Sequence, residues 1–190
     1  REAARRTQCS NNIRNLALGL HNYHSANNAF PAGFVSQANK TEAWGWSTLM
    51  LPFIEENNIH DGLGVGEQRL ADFFMNNKPG QPRFVAAITP LAVFRCASDI
   101  TPELLPGTGD GARHFRGNNT PPGYEPPTSN YMGNKGFYDN RCPVGDVIGC
   151  KNTGIFYGNS KITIAKITDG TSKTFLLGER DYRCKSGTWI

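Results

Sequence analysis

Cys9, Ile13, Leu16, Ala17, Leu20 and Tyr23 recur at steps of three and four residues, and that spacing lines them along one face of an α-helix. Ala3, Ala4 and the arginines around them favour a helix, whereas Asn27, Asn28, Pro31 and Gly33 stop one. The spacing therefore predicts a helix from about Arg1 to near Ala26. The chain opens already in this pattern and without an initiator Met, so the helix is expected to begin upstream. A length of 190 residues fits one domain. The expected division is residues 1–27 as the C-terminal half of a longer helix, and 28–190 as a loop-rich head folded with it as a single domain.

After the helix the chain changes character. Charged residues make up only 19%, and 21 Gly and 12 Pro place much of the length in turns. In WGWSTLMLPFIEENNI, Ser47 is the expected N-cap of a short helix with Pro52 near its first turn. RFVAAI predicts a further helical turn before Pro90, LAVFRC (Leu91 to Cys96) reads as a buried strand, and Ser98 to Thr128 as a long loop. SNYMG, GIFY, KITI and TFLLGE are short β-like runs separated by turns such as Asp169-Gly170. Helix first and short strands later predict an α+β fold, a long N-terminal helix packed on a small antiparallel sheet with long irregular loops.

A net charge of +4, dispersed except for Arg1, Arg5 and Arg6, argues against nucleic acid as a partner. No apolar run approaches the roughly 20 residues that span a bilayer. The five cysteines, Cys9, Cys96, Cys142, Cys150 and Cys184, contain no CxxC pair, which favours disulfides in an oxidising compartment over zinc. Cys9 on the inward helix face and Cys96 at the end of the expected strand are candidates for a bridge pinning helix to sheet, buried free thiols being the alternative. Cys142 and Cys150 are candidates to close the loop CPVGDVIGC, which leaves Cys184 without an assigned partner.

Chemistry-bearing constellations are sparse. His21 and His24 stand three apart on the helix but lack a third ligand, so hydrogen bonding at the helix-to-loop junction is the preferred reading. Asp139, Asn140 and Asp146 flank the CPVGDVIGC loop without the spacing of a calcium loop. DGTSKT lacks the Gly-Lys-Ser/Thr order of a phosphate loop. Glu55 and Glu56 point in different directions on a helix; His114 and scattered Asp residues form no catalytic set. Trp44, Trp46 and Tyr124 suit either core packing or a flat binding platform, core packing being the more frequent fate. No enzyme activity, metal or cofactor is expected.

Five blocks resemble, in order, those of a bacterial family of prepilin-like proteins, domain of unknown function 1559. They are REAARRTQCSNNIRNLALGLHNYHSANNAFPAG, WGWSTLMLPFIEENNIHDGL, LAVFRCASD, SNYMGNKG and GIFYGNSKITIAKITDGTSKTFLLGER; Thr101 to Thr128 and Asp139 to Lys151 diverge. The resemblance implies a membrane-inserted precursor cleaved by a prepilin peptidase, as in type IV pilins and type II secretion pseudopilins. Its hydrophobic helix would precede Arg1, putting Arg1, Arg5 and Arg6 near the membrane surface or on neighbouring subunits. The implied partners are other pilin-like subunits, met through the N-terminal helix, and the membrane. The implied function is a structural subunit of a pilus-like or pseudopilus-like assembly in the cell envelope, with a periplasmic or extracellular head. Many members continue past the point matching Ile190, so a final strand and another cysteine are expected there. The alternative is a membrane-tethered extracellular module that binds a glycan.

Overall fold

A computed structural model describes residues 1–35, 43–105, 124–136, 153–181 and 187–190. The expected helix is α1, Glu2–Asn27. It ends where Asn28 turns left-handed, φ 56°, a conformation that Asn tolerates better than most residues. Its inward face is the one the spacing selects, with Cys9, Leu16 and Leu20 buried and Ile13, Ala17 and Tyr23 half-buried.

The WGWSTLMLPFIEENNI segment divides further than expected. Helix α2, Trp46–Leu49, is followed by a 3₁₀ turn, Leu51–Ile54, carrying Pro52 at its start, and then by α3, Asn57–Leu63. Glu55 at φ 67° forces the break. Gly45, not Ser47, precedes α2; Ser47 lies inside the helix, buried, and its hydroxyl donates to the Trp189 carbonyl. Helices α4, Leu70–Asn76, and α5, Pro82–Ala87, follow, α5 being the turn expected before Pro90.

The LAVFRC strand is corrected to a 3₁₀ turn over Ala92–Phe94. Phe94 N–H donates to Leu91 O and Arg95 N–H to Ala92 O, so Leu91 and Phe94 are buried three residues apart. A short apolar run does not distinguish such a turn from a strand.

Among the described residues the antiparallel sheet of this α+β fold takes the form of two two-stranded ladders. Strand β1, Thr128–Ser129, pairs with β4, Gly187–Thr188; β2, Tyr131–Gly133, pairs with β3, Leu177–Glu179, in the register Tyr131↔Glu179, Met132↔Gly178, Gly133↔Leu177. GIFY and KITI are not strands. They lace the loop after α1 through single bonds, Gly33 N–H to Tyr157 O at 3.0 Å and Phe30 N–H to Ile162 O at 2.8 Å. A side chain at Gly33 would lie 2.5 Å from the Phe156 carbonyl, so glycine is what permits this approach.

Trp44, Phe73, Phe84, Phe94, Tyr124, Tyr131 and Trp189 fill the core with α1's Leu16 and Leu20. Trp189 stacks on Phe94 with ring centroids 6.1 Å apart. Helix α1 rests chiefly on the two 3₁₀ turns, and β2 reaches it through Tyr131. Among the described residues no helix is long and apolar enough to cross a membrane.

Candidate functional site

The best-built polar region surrounds the attachment of α1 to the rest of the fold. Cys9 and Cys96 form a disulfide with Cα atoms 4.9 Å apart, joining positions 87 residues apart in sequence. One turn along α1, Asn12 donates from Nδ2 to Ala92 O at 3.1 Å and to Arg95 O at 2.7 Å, so a carboxamide tethers the same turn that the bridge tethers. The Tyr131 hydroxyl donates to Cys9 O at 3.2 Å. Behind the bridge, fully buried Asn130 acts as a hub. Its Oδ1 accepts from Cys96 N–H at 2.9 Å, its own N–H donates to Phe94 O at 2.9 Å, and its Nδ2 donates to Arg180 O at 3.0 Å and to the Asp99 carboxylate. Asp99 also accepts from Ile100 N–H at 2.9 Å and from the Thr101 hydroxyl. These contacts supply the backbone partners that the expected ladder would otherwise have given this segment.

Glu179 stands directly across the β2–β3 ladder from Tyr131, with a carboxylate oxygen within 4.8 Å of both bridge sulfurs. Partial desolvation of this otherwise exposed carboxylate, and secondarily the charge of Asp99, raise its pKa above the ordinary glutamate value. Burial, then the Glu179 charge, push the Tyr131 phenol up to about 12. Cys9, Cys96 and Glu179 are the trio of potential metal ligands that the described residues bring together, and two of the three are already bonded to each other.

Beyond Cys9 towards its start, α1 loses cover. Residues 1–8 are all exposed, and their polar link to the head is the Ser98 hydroxyl donating to Glu2 Oε1 at 3.1 Å. Glu2 also pairs with Arg5 at 3.9 Å and Arg6 at 3.5 Å, exposed pairs that stabilise little. Midway, Leu18 is 54% exposed beside a hollow of about 320 Å³ lined by Gly19, Phe53, Ile54 and Val93.

At the other end of α1 the two histidines pack on one ring, His21 at 5.6 Å and His24 at 4.9 Å from the Phe30 centroid. His24 Nε2 accepts from Ile164 N–H at 3.3 Å. This is the junction role expected of HNYH, with Tyr23 packed edge-on against Phe53. A hollow of about 400 Å³ opens nearby, lined by Tyr23, Asn27, Phe30, Leu49, Ser160 and Lys161 among others. Of the possible platform rings, Trp44 and Tyr124 are buried and Trp46 is half-buried against Phe94 and Phe156. DGTSKT forms a turn at Gly170 and a single 3₁₀ turn, Thr171–Lys173, leading to β3.

Of the four expected bridge cysteines, Cys9 and Cys96 are joined, whereas Cys142 and Cys150 lie outside the described residues, as do Cys184, Asp139, Asn140, Asp146 and His114. Asn12, Asn130, Tyr131 and Glu179 were not singled out as site residues from sequence. Asn12 offered a signal, a weak helix former one turn beyond Cys9 towards the inward stripe.

A family model described as "protein of unknown function (DUF1559)" matches residues 1–189. No curated protein and no solved structure matches the chain.

Proposed function

The chain belongs to the DUF1559 family, and on that premise we propose that it is a structural subunit of a pilus-like or pseudopilus-like assembly of the cell envelope. Helix α1 is the assembly element and the loop-rich head the outer surface. The observation that carries this reading is the division of α1 at Cys9: two exposed turns bearing Arg1, Arg5 and Arg6, then a helix held to the head by a covalent bond. Twenty-six residues give a rod of about 39 Å, of which the exposed turns are about 10 Å. A rod seated on the head from Cys9 onward and bare at its start suits packing against neighbouring subunits better than it suits a role inside one domain. The disulfide fits an oxidising compartment, hence a periplasmic or extracellular head. In this reading the partners are further copies or related subunits and, for the precursor, the membrane; nucleic acid and catalysis have no part.

Fractionation of the full-length protein from its native cells tests the proposal. A membrane or sheared-filament location, with an N-terminus processed after a leader, is the expected result. Native protein found wholly in the soluble fraction with an uncleaved N-terminus overturns it.

The glycan-binding alternative rests on the hollow at the end of α1, whose volume of about 400 Å³ and mixture of Tyr23, Phe30, Asn27 and Lys161 suit a small polar ligand. A glycan array without a binder above background removes it.

A further inference from the structure

The Cys9–Cys96 bridge is nearly shut away, its two residues 5% and 4% exposed, while Glu179 beside it is exposed. The strand pairing Tyr131↔Glu179 fixes where this side chain starts, and its carboxylate ends within 4.8 Å of both sulfurs. No ion pair joins Glu179 to a described cation, and the other carboxylate close enough to act on it, Asp99, has the same sign. A negative charge on an exposed side chain therefore lies beside a buried disulfide, close enough to act on a reagent that reaches the sulfurs.

We infer that Glu179 is an electrostatic guard on the Cys9–Cys96 bridge, setting which thiols open it: anionic thiols are turned away, and cationic thiols, or an exchange partner whose active thiol sits on a positive surface, are admitted. Opening begins when a thiolate RS⁻ attacks one Sγ, forming a mixed disulfide and expelling the other cysteine as a thiolate. A second RS⁻ attacks the mixed disulfide, giving RSSR and a second cysteine thiolate, and both thiolates take protons from the medium. Two electrons pass from two small thiols to the protein disulfide. In each attack negative charge collects on sulfurs near Glu179, so the carboxylate opposes both the approach of an anionic reagent and the departure of the leaving thiolate. The second effect slows every reductant alike; the first depends on the reductant's charge. This inference stands apart from the filament reading, because it concerns one bridge and its neighbour whatever the whole protein assembles into.

The test measures second-order rate constants for opening the bridge at pH 8 and low ionic strength. Cysteamine serves as the cationic thiol and 2-mercaptoethanesulfonate as the anionic one, each corrected for its thiolate fraction. Alkylation and mass spectrometry of the Cys9 and Cys96 peptides separate this bridge from the other cysteines. The expected cationic-to-anionic rate ratio is about tenfold in the native sequence, collapsing towards unity near 1 M salt, where the screening length falls to about 3 Å. Glu179→Gln should reduce the ratio to about twofold or less and Glu179→Lys should invert it, while Glu67→Gln, which removes the same charge on the α3–α4 connection, should leave it unchanged. A ratio indifferent to both Glu179 substitutions overturns the inference. Should those variants fail to fold, a native-sequence ratio that salt does not alter overturns it equally.

Discussion

Two attachments of the fold rest on different physics. Where α1 meets the Leu91–Cys96 turn, a covalent bond, the Asn12 carboxamide, the Tyr131 hydroxyl and the buried Asn130 hub fix the geometry. Where β2 meets β3, three residue pairs make the ladder, and one of its residues, Gly178, presents bare backbone with open space where a side chain would project. Phe175, just before this ladder, is 80% exposed. The first attachment joins segments more than eighty residues apart through groups that are costly to leave unpaired when buried. The second is a short ribbon of a kind that holds only because the surrounding core holds it. The same fold thus contains a junction that tolerates little and, at Gly178 on the outer strand of a ribbon, a position that tolerates much.

Removing the bridge should break this contrast most. Cys9→Ala with Cys96→Ala releases a closure over 87 residues, which the chain-entropy account values at about 4.5 kcal/mol. Urea unfolding should show that loss, and reducing the native protein should reproduce it. Next comes Gly19→Ala, because a β-carbon there would lie 2.4 Å from Ile54 Cγ2 and 3.2 Å from Phe53 O. Although alanine favours helices, overpacking at this crossing should destabilise by about 1–3 kcal/mol, read as a lowered denaturation midpoint.

Tyr131→Phe should cost about 1 kcal/mol at neutral pH through the lost bond to Cys9 O, and it should also alter the alkaline limb of stability. The folded chain holds the phenol proton up to about 12, whereas the ordinary value is 10.0. The fold therefore keeps a proton that the unfolded chain gives up. Its contribution is whole below pH 10 and is lost as pH rises from 10 to 12, so the variant should lose less stability across that window. Tyr124, also raised by burial, keeps part of the alkaline loss in both proteins. Smallest is Gly178→Ala, which should shift stability by less than about 0.5 kcal/mol, since nothing lies within 4 Å of the new carbon. A large cost there would show that the ribbon is as exacting as the helix junction.

What was legible in the sequence divides along the same line. Helix α1 and its inward face were readable because the apolar period repeats from Cys9 to Tyr23, and once the face was known Cys9 pointed at a partner in the core. The Leu91–Cys96 segment was misread because its burial was legible but its backbone was not. Its carbonyls and N–H groups are satisfied by Asn12 and Asn130, more than thirty residues away in either direction, and no local pattern announces such partners. Ser47 looked like a cap because it is a capping residue type beside an apolar run; its hydroxyl is instead drawn to Trp189 at the far end of the chain. Strands β1 and β4 are two residues each, too short for alternation to register. Glu179 escaped notice because its significance lies in what stands within 4.8 Å of it, a fact of register rather than of composition.

The position of the bridge on α1 also decides how the molecule bears mechanical load. A pull on the exposed end travels down the backbone to Cys9 and there finds two routes, onward through the helix or straight across sulfur to Cys96. The sulfur route reaches the Asn130 hub through one residue, without loading the helix–head packing of residues 10–27 or the chain between the two cysteines. Traction at the tip therefore reaches the middle of the head first across the disulfide, and α1 beyond Cys9 shares the load rather than carrying it alone.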